Sequence, residues 1–243
     1  GLKWRVFEER AQPDGTHSIV SESEEAAPRF NLPTGAYIVH AAFGLAGASK
    51  RVNVELRPVT DRITLNAGAL KISTMLGDQP IAPQKISIAV YVPAPGNSEA
   101  KLVVDKGKPG DLICLPEGQD HVVSTLYDLG NSTTTGSASA TNSIVTTDLR
   151  VQAGKATQAT LKHRAATMTL KLVNQPGGEA LANTSFSVLT PGGDVIRELI
   201  GAFPALVLAE GEYVAIARHE GKTYQAQFKV QSTLDRDVEV IAK

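Results

Sequence analysis

Five histidines, His17, His40, His121, His163 and His219, are the residues of this chain best suited to proton transfer or metal binding. They stand in different strands and loops. No two have the close spacing by which imidazoles one helical turn apart share a cation, so a surface or edge position is the expectation for each. Asp120-His121 is an adjacent acid and imidazole beside the turn of the second repeat. Neighbouring residues of a strand face opposite sides of the sheet, so these two side chains diverge and form no working acid–base pair. Cys114 is the sole cysteine, flanked by Ile113 and Leu115 with no cation beside it to depress a thiol pKa. It reads as a small hydrophobe in or beside a core. Glu22-Ser23-Glu24-Glu25 lacks the ordered oxygen spacing and turn glycine of a calcium loop and reads as a solvated segment. The sequence therefore predicts no catalytic residue, no metal ligand and no cofactor site.

The elements that carry these residues are short strands. Aromatic content is low, at 5%, while Gly, Ala, Val and Thr are abundant and no long Leu/Glu/Lys-rich stretch of helical period is visible. With 24 basic and 25 acidic residues, no long-range field favours nucleic acid or an anionic membrane. No apolar run approaches membrane-spanning length. A single cysteine excludes an internal disulfide and leaves the compartment open. The chain opens on Gly1 rather than Met, as expected of a mature protein whose targeting segment has been removed. That expectation places it in the periplasm or outside the cell.

One phrase occurs three times: Phe30-Asn31-Leu32-Pro33-Thr34-Gly35-Ala36-Tyr37, Ile113-Cys114-Leu115-Pro116-Glu117-Gly118, and Leu206-Val207-Leu208-Ala209-Glu210-Gly211-Glu212-Tyr213. Its glycines lie 83 and 93 residues apart, too far for a solenoid unit and suited to three small domains in tandem. Around each glycine the apolar residues alternate, which puts them on one face of paired strands. Gly35, Gly118 and Gly211 are expected to be equivalent turn residues with positive φ, and Tyr37 and Tyr213 to bury their rings beside those turns. Two further strands follow each turn: Lys50–Leu56 and Arg62–Leu65, Thr147–Val151 and Thr157–Leu161, Tyr224–Val230 and Asp237–Ile241. Repeats 2 and 3 also begin with a strand, at Ala69–Ile72 and Met168–Leu172. Repeat 1 starts at Leu2–Phe7, which matches the second strand of the others, so its first strand is missing: trimming of the chain is the expected reason, and the alternative, a genuinely incomplete sandwich, would leave two strand edges open to a partner.

These segments, above all Met168–Asn174, Gly178–Leu181, Thr184–Val188 and Leu208–Tyr213, resemble the Cna B-type and carboxypeptidase-regulatory (transthyretin-like) modules. The likeness extends over nearly the whole chain as three copies and is similar to that of exported proteins of alphaproteobacteria. It implies prealbumin-like, Ig-like β-sandwiches of the kind used in stalks, adhesins and accessory domains of secreted proteins. Some Cna B-type domains carry a Lys–Asn isopeptide bond. Lys71 and Lys171 occupy the corresponding first strand, but the closing strands Ala156–Lys162 and Arg236–Lys243 hold no asparagine, and alternation with Met168, Leu170 and Leu172 turns Lys171 toward water. The hydrolase branch of the transthyretin-like fold ends in Tyr-Arg-Gly-Ser, which is absent here.

The resulting expectation is an all-β chain of three tandem sandwiches over residues 1–65, 66–162 and 163–243, the first lacking its initial strand. Repeat 2 is interrupted by a Ser/Thr/Gly-rich insertion at 131–147, expected as a mobile loop or an extended hairpin tip because it cannot bury enough apolar area to offset ordering. The predicted role is a non-enzymatic structural or binding module of the bacterial envelope, with a protein or polysaccharide partner. A carbohydrate-binding protein using Trp4, Tyr91 or Tyr127 as stacking surfaces is the first alternative. An accessory domain of a larger secreted enzyme is the second.

Overall fold

The computed structural model describes residues 1–93, 100–128 and 139–243, which are all β apart from turns, loops and one 3-10 turn at Pro83–Lys85. Repeat 1 consists of β1 (Leu2–Ala11), β2 (His17–Ser23), β3 (Gly35–Phe43) and β4 (Ala46–Val54). They form one antiparallel sheet in the order β2-β1-β3-β4. Repeat 2 comprises β5 (Ala67–Leu76), β6 (Gln79–Pro80), β7 (Ile86–Pro93), β8 (Ala100–Gly107), β9 (Leu112–Pro116), β10 (Gly118–Asp128), β11 (Ser139–Val151) and β12 (Ala156–His163). Repeat 3 comprises β13 (Ala165–Val173), β14 (Ser185–Leu189), β15 (Val195–Ile200), β16 (Ala205–Ala209), β17 (Gly211–His219), β18 (Lys222–Val230) and β19 (Arg236–Ile241).

The sheets β8-β7-β10-β11 and β15-β14-β17-β18 reproduce the order of repeat 1 strand for strand. Repeats 2 and 3 add a second sheet built around the first strand of the unit. There β5 pairs antiparallel with β9 and parallel with β12, and β13 pairs antiparallel with β16 and parallel with β19. Period-two alternation buries one face of each sheet. Leu70, Ile72, Ile88, Val90, Leu115 and Val122 meet between the sheets of repeat 2. Met168, Leu170, Leu172, Phe186, Val188, Leu206 and Leu208 do so in repeat 3. These are two tandem Ig-like sandwiches preceded by a single sheet of the same kind.

Three expectations are corrected. The strand predicted at Arg62–Leu65 carries no ladder, and neither does the alternating stretch around Phe30 and Leu32: residues 24–34 and 55–66 are irregular. Their counterparts β9, β12, β16 and β19 all pair with the first strand of their own unit, and repeat 1 has none to offer. Second, of the loop and hairpin alternatives for 131–147, the loop one fails and the extended hairpin holds for 139–147, which belong to β11 paired with β10, while 131–138 lie outside the described residues. Alternation with hydroxyl side chains replaces alternation with aliphatic ones. Third, Gly35, Gly118 and Gly211 each open a strand after a bend, and none is among the positive-φ glycines. The chain reverses through the residues before them.

Adjacent repeats touch directly. The β3–β4 turn at Gly44 (φ 60°) lies on β9: Leu45 N donates to Cys114 O at 3.0 Å, and a Cβ at Gly44 would stand 2.5 Å from Cys114 Cβ. No described helix is long and apolar enough to cross a membrane.

Candidate functional site

Each tyrosine of the repeated phrase closes a corner. Tyr37 and Tyr213 are buried, and their hydroxyls donate to carbonyls four residues upstream, Pro33 O at 3.0 Å and Ala209 O at 2.8 Å. The ring folds back over the glycine two residues before it. An added Cβ would sit 3.6 Å from the Tyr37 ring at Gly35 and 3.6 Å from the Tyr213 ring at Gly211, ordinary contact distances. A Cβ is therefore accommodated at both positions, and neither φ nor packing against the tyrosine demands glycine there. At Gly118 nothing lies within 4 Å, because the residue two positions on is Asp120. That carboxyl points into repeat 2, is 1% exposed, and its Oδ2 has no hydrogen-bond partner among the described residues. Burial raises its pKa above the ordinary aspartate value.

The corner of repeat 3 also anchors repeat 2. Asn142 in β11 donates from Nδ2 to the Tyr213 hydroxyl at 2.7 Å and accepts from Ala209 N at Oδ1 at 2.8 Å. Beside it, Asp128 at the end of β10 accepts from Val207 N at 3.0 Å and lies 3.6 Å from Arg197 Nη1. Burial raises the pKa of Tyr213, and the Asn142 hydrogen bond opposes that rise. Between the two repeats Ile81, Ile86, Leu126 and Ala165 form a small apolar cluster with Leu76 and Val207 packed on it.

His163 sits at the centre of this junction and departs from the surface position expected of it. It ends β12, is 1% exposed, and holds both ring nitrogens in hydrogen bonds: Nε2 with Ser124 Oγ and Nδ1 with Ser143 Oγ, each 2.9 Å. Burial lowers its pKa, partly opposed by hydrogen bonding from Ser143. Ser143 and Thr141, which accounts for its own hydroxyl on Leu126 O at 3.0 Å, are the inward positions of β11. Thr141 and Ser143 of the Ser/Thr run thus line a polar core. The run's alternation from 141 to 147 was the available signal.

The remaining candidates lie apart. His17 contacts Glu8 O, His40 contacts Ser49 Oγ, and His219 contacts Thr184 Oγ1. His121 turns away from Asp120 and instead meets Asp148 across the β10–β11 ladder at 2.7 Å, with the Tyr91 ring 6.2 Å away. Lys171 lies on the outer face of β13, paired with Asp237 and 5.6 Å from the centre of the Phe203 ring. Cys114 is partly buried. Glu22 is bound by Arg5, which with Lys3 lowers its pKa. Among the described residues no cluster of three or more His, Cys, Asp or Glu could hold a metal. A shallow cleft of about 310 Å³ opens at the junction, lined by Gly77, Asp78, Lys162, Arg164, Ser232 and Thr233 together with His163, whose nitrogens are already taken.

Residues 167–242 match the model of the Rhizobiales growth-associated tandem repeat domain. No curated protein matches the chain in sequence. Among solved structures it is similar to the Bacillus anthracis TIE protein, at 16% identity and a TM-score of 0.29, covering 100% of this chain and 47% of that one. The chain thus spans about half the length of that protein. A Streptococcal ancillary pilin shares 13% identity with a TM-score of 0.33, covering 100% of this chain and 92% of the pilin. The shaft pilin of Lactobacillus rhamnosus GG shares 11% identity with a TM-score of 0.29, covering 73% of this chain and 98% of the pilin.

Proposed function

We propose that this chain is a non-enzymatic structural and binding module of the bacterial envelope, exported to the periplasm or cell surface, in which the repeats over 1–65, 66–162 and 163–243 act as stiffly joined units. The observation that carries the reading is the junction of repeats 2 and 3. Its polar groups are spent on one another and on backbone amides: Asn142 on Tyr213 and Ala209, Asp128 on Val207, Ser124 and Ser143 on His163. An enzyme would keep such groups convergent on an open cleft, whereas a spacer uses them to fix an angle. The growth association in the description of the third repeat's family fits a role in the envelope of growing cells. Fractionation of cells making the full-length protein tests the reading: recovery with periplasmic or surface material is expected, and recovery in the cytosol overturns it.

A polysaccharide partner is the second reading. Tyr91 and the Asp148-held His121 stand together on the outer face of β7 and β10, their rings tilted by 51° to each other, an exposed aromatic and polar pair of the kind sugars pack against. Saturable binding on a glycan array, lost in Tyr91→Ala, would favour it over a protein partner.

A further inference from the structure

Each phrase glycine opens the same strand of a four-stranded sheet, so the outer faces of the three repeats correspond position for position. Three residues beyond the glycine stand Ile38, His121 and Val214. Across the ladders Ile38 lies between Phe7 and Arg51, Val214 between Leu189 and Gln227, and His121 between Tyr91 and Asp148. The rows of repeats 1 and 3 are aliphatic at the centre, and Arg51 is already bonded to Glu9. Of the three rows, that of repeat 2 alone joins an aromatic ring to an imidazole and a carboxylate. Beside it Gln119 faces Arg150, where repeat 1 has Ala36 and Asn53 and repeat 3 the opposite charges Glu212 and Lys229.

Asp148 Oδ1 holds His121 Nδ1 at 2.7 Å, which makes that nitrogen the N–H donor and leaves Nε2 a lone pair directed away from the carboxylate. The His121 and Asp148 side chains are 46% and 62% exposed, and Gln119 and Arg150 are exposed beside them. Neither His121 Nε2 nor the polar ends of Gln119, Arg150 and Tyr91 has a hydrogen-bond partner among the described residues. The Tyr91 ring stands 6.2 Å from the imidazole and is tilted by 51° to it, so the two rings bound a notch. Leu102, across the ladder from Tyr91 and also exposed, extends its apolar side.

We infer that this cluster of repeat 2 is a subsite for one uncharged pyranose unit of a glycan, an assignment that rests on the polysaccharide reading above and gives it a place and a chemistry. Tyr91 and Leu102 carry the C–H face of the sugar ring. Every sugar hydroxyl both donates and accepts, and the cluster offers the matching mix: an acceptor at His121 Nε2, donors at Arg150 and both kinds on the Gln119 amide. Gln119 and His121 stand two residues apart on β10, about 7 Å, and so reach different hydroxyls of one ring. Charge selects against other sugars. Asp148 repels a uronate or sulfated unit and Arg150 repels an amino sugar, while toward a neutral unit the two cancel.

The test is titration of the intact chain, followed by backbone amide NMR shifts, with neutral oligosaccharides of glucose, mannose and xylose, with oligogalacturonate and with oligoglucosamine. Saturable binding of a neutral oligosaccharide is expected, with shifts centred on residues 91, 119–121 and 148–150, and no saturation by the charged ones. Tyr91→Ala and His121→Phe should each weaken that binding about tenfold or more, whereas Ile38→Ala, at the matching position of repeat 1, should leave it unchanged. Neutral binding with shifts confined to another part of the chain overturns this subsite and leaves the polysaccharide reading standing. Tighter binding of either charged oligomer overturns its neutral chemistry. No saturable binding of any of them, or on the glycan array, overturns both.

Discussion

Repeats 1 and 3 share a four-stranded sheet with the same strand order and the same tyrosine corner, yet only repeat 3 has a sheet facing it. The flanking sequences are not the cause. Phe30, Leu32, Ile63 and Leu65 alternate as well as Leu206, Leu208, Val238 and Val240 do. The difference is one strand: β13 supplies a hydrogen-bonding edge to each of two neighbours, and without it both neighbours lose their ladders. A second sheet in this fold is therefore a property of its central strand, and a strand-like pattern is a condition for pairing that does not itself create a partner.

The largest expected effect sharpens that contrast. Leu170→Ala in β13 opens a cavity between two sheets and should destabilise repeat 3 by about 3 kcal/mol, read from amide exchange in β14 and β17. Leu32→Ala in repeat 1 removes a half-exposed side chain and should cost less than about 1 kcal/mol; equal losses would mean that repeat 1 is as fully packed as repeat 3. Next come the corners. Tyr213→Phe removes one hydroxyl that serves both Ala209 and Asn142 and should cost about 1.5 kcal/mol, against about 1 kcal/mol for Tyr37→Phe, whose hydroxyl serves Pro33 alone. Only the first should loosen the junction, seen as faster exchange at the amides of Val207 and Ala209.

Acid should separate repeat 2 from the others. The His163 pKa is lower in the fold than its ordinary value of 6.5, so unfolding takes up a proton between the two values. Its contribution is complete above the ordinary value and is lost as pH falls through and below it. Protection of β10 and β11 should fall on acidification in the native chain and stay flat in His163→Gln; a flat response in both would place the ring in water. The smallest effect has the opposite sign. Asp120 has a raised pKa, so its ionised form is penalised as pH rises above the ordinary aspartate value, and Asp120→Asn should stabilise repeat 2 at neutral pH by up to about 1 kcal/mol, measured by urea unfolding.

The strands of repeats 2 and 3 and the equivalence of the three phrases were readable because alternation around Gly118 and Gly211 is a local signal. What escaped was non-local. Whether Arg62–Leu65 forms a strand depends on a partner elsewhere in the chain, and alternation is blind to that. For the stretch 139–147 loop and extended hairpin could not be told apart because the pattern sought was apolar, whereas here Thr141 bonds Leu126 O and Ser143 bonds a histidine. His163 looked like any surface imidazole for the same reason: its two serines lie 39 and 20 residues away. The glycine φ was misjudged because the reversal and the tyrosine packing are separate tasks performed by adjacent residues.

The parallel ladders of β5 with β12 and β13 with β19 join the first and last strands of each complete unit. A pull along the chain enters at the start of one strand and leaves at the end of the other, so it slides the pair lengthwise and loads all their hydrogen bonds together instead of peeling them singly. Repeats 2 and 3 are thereby locked against stretching, and tension on the molecule would be expressed first in the single sheet of repeat 1.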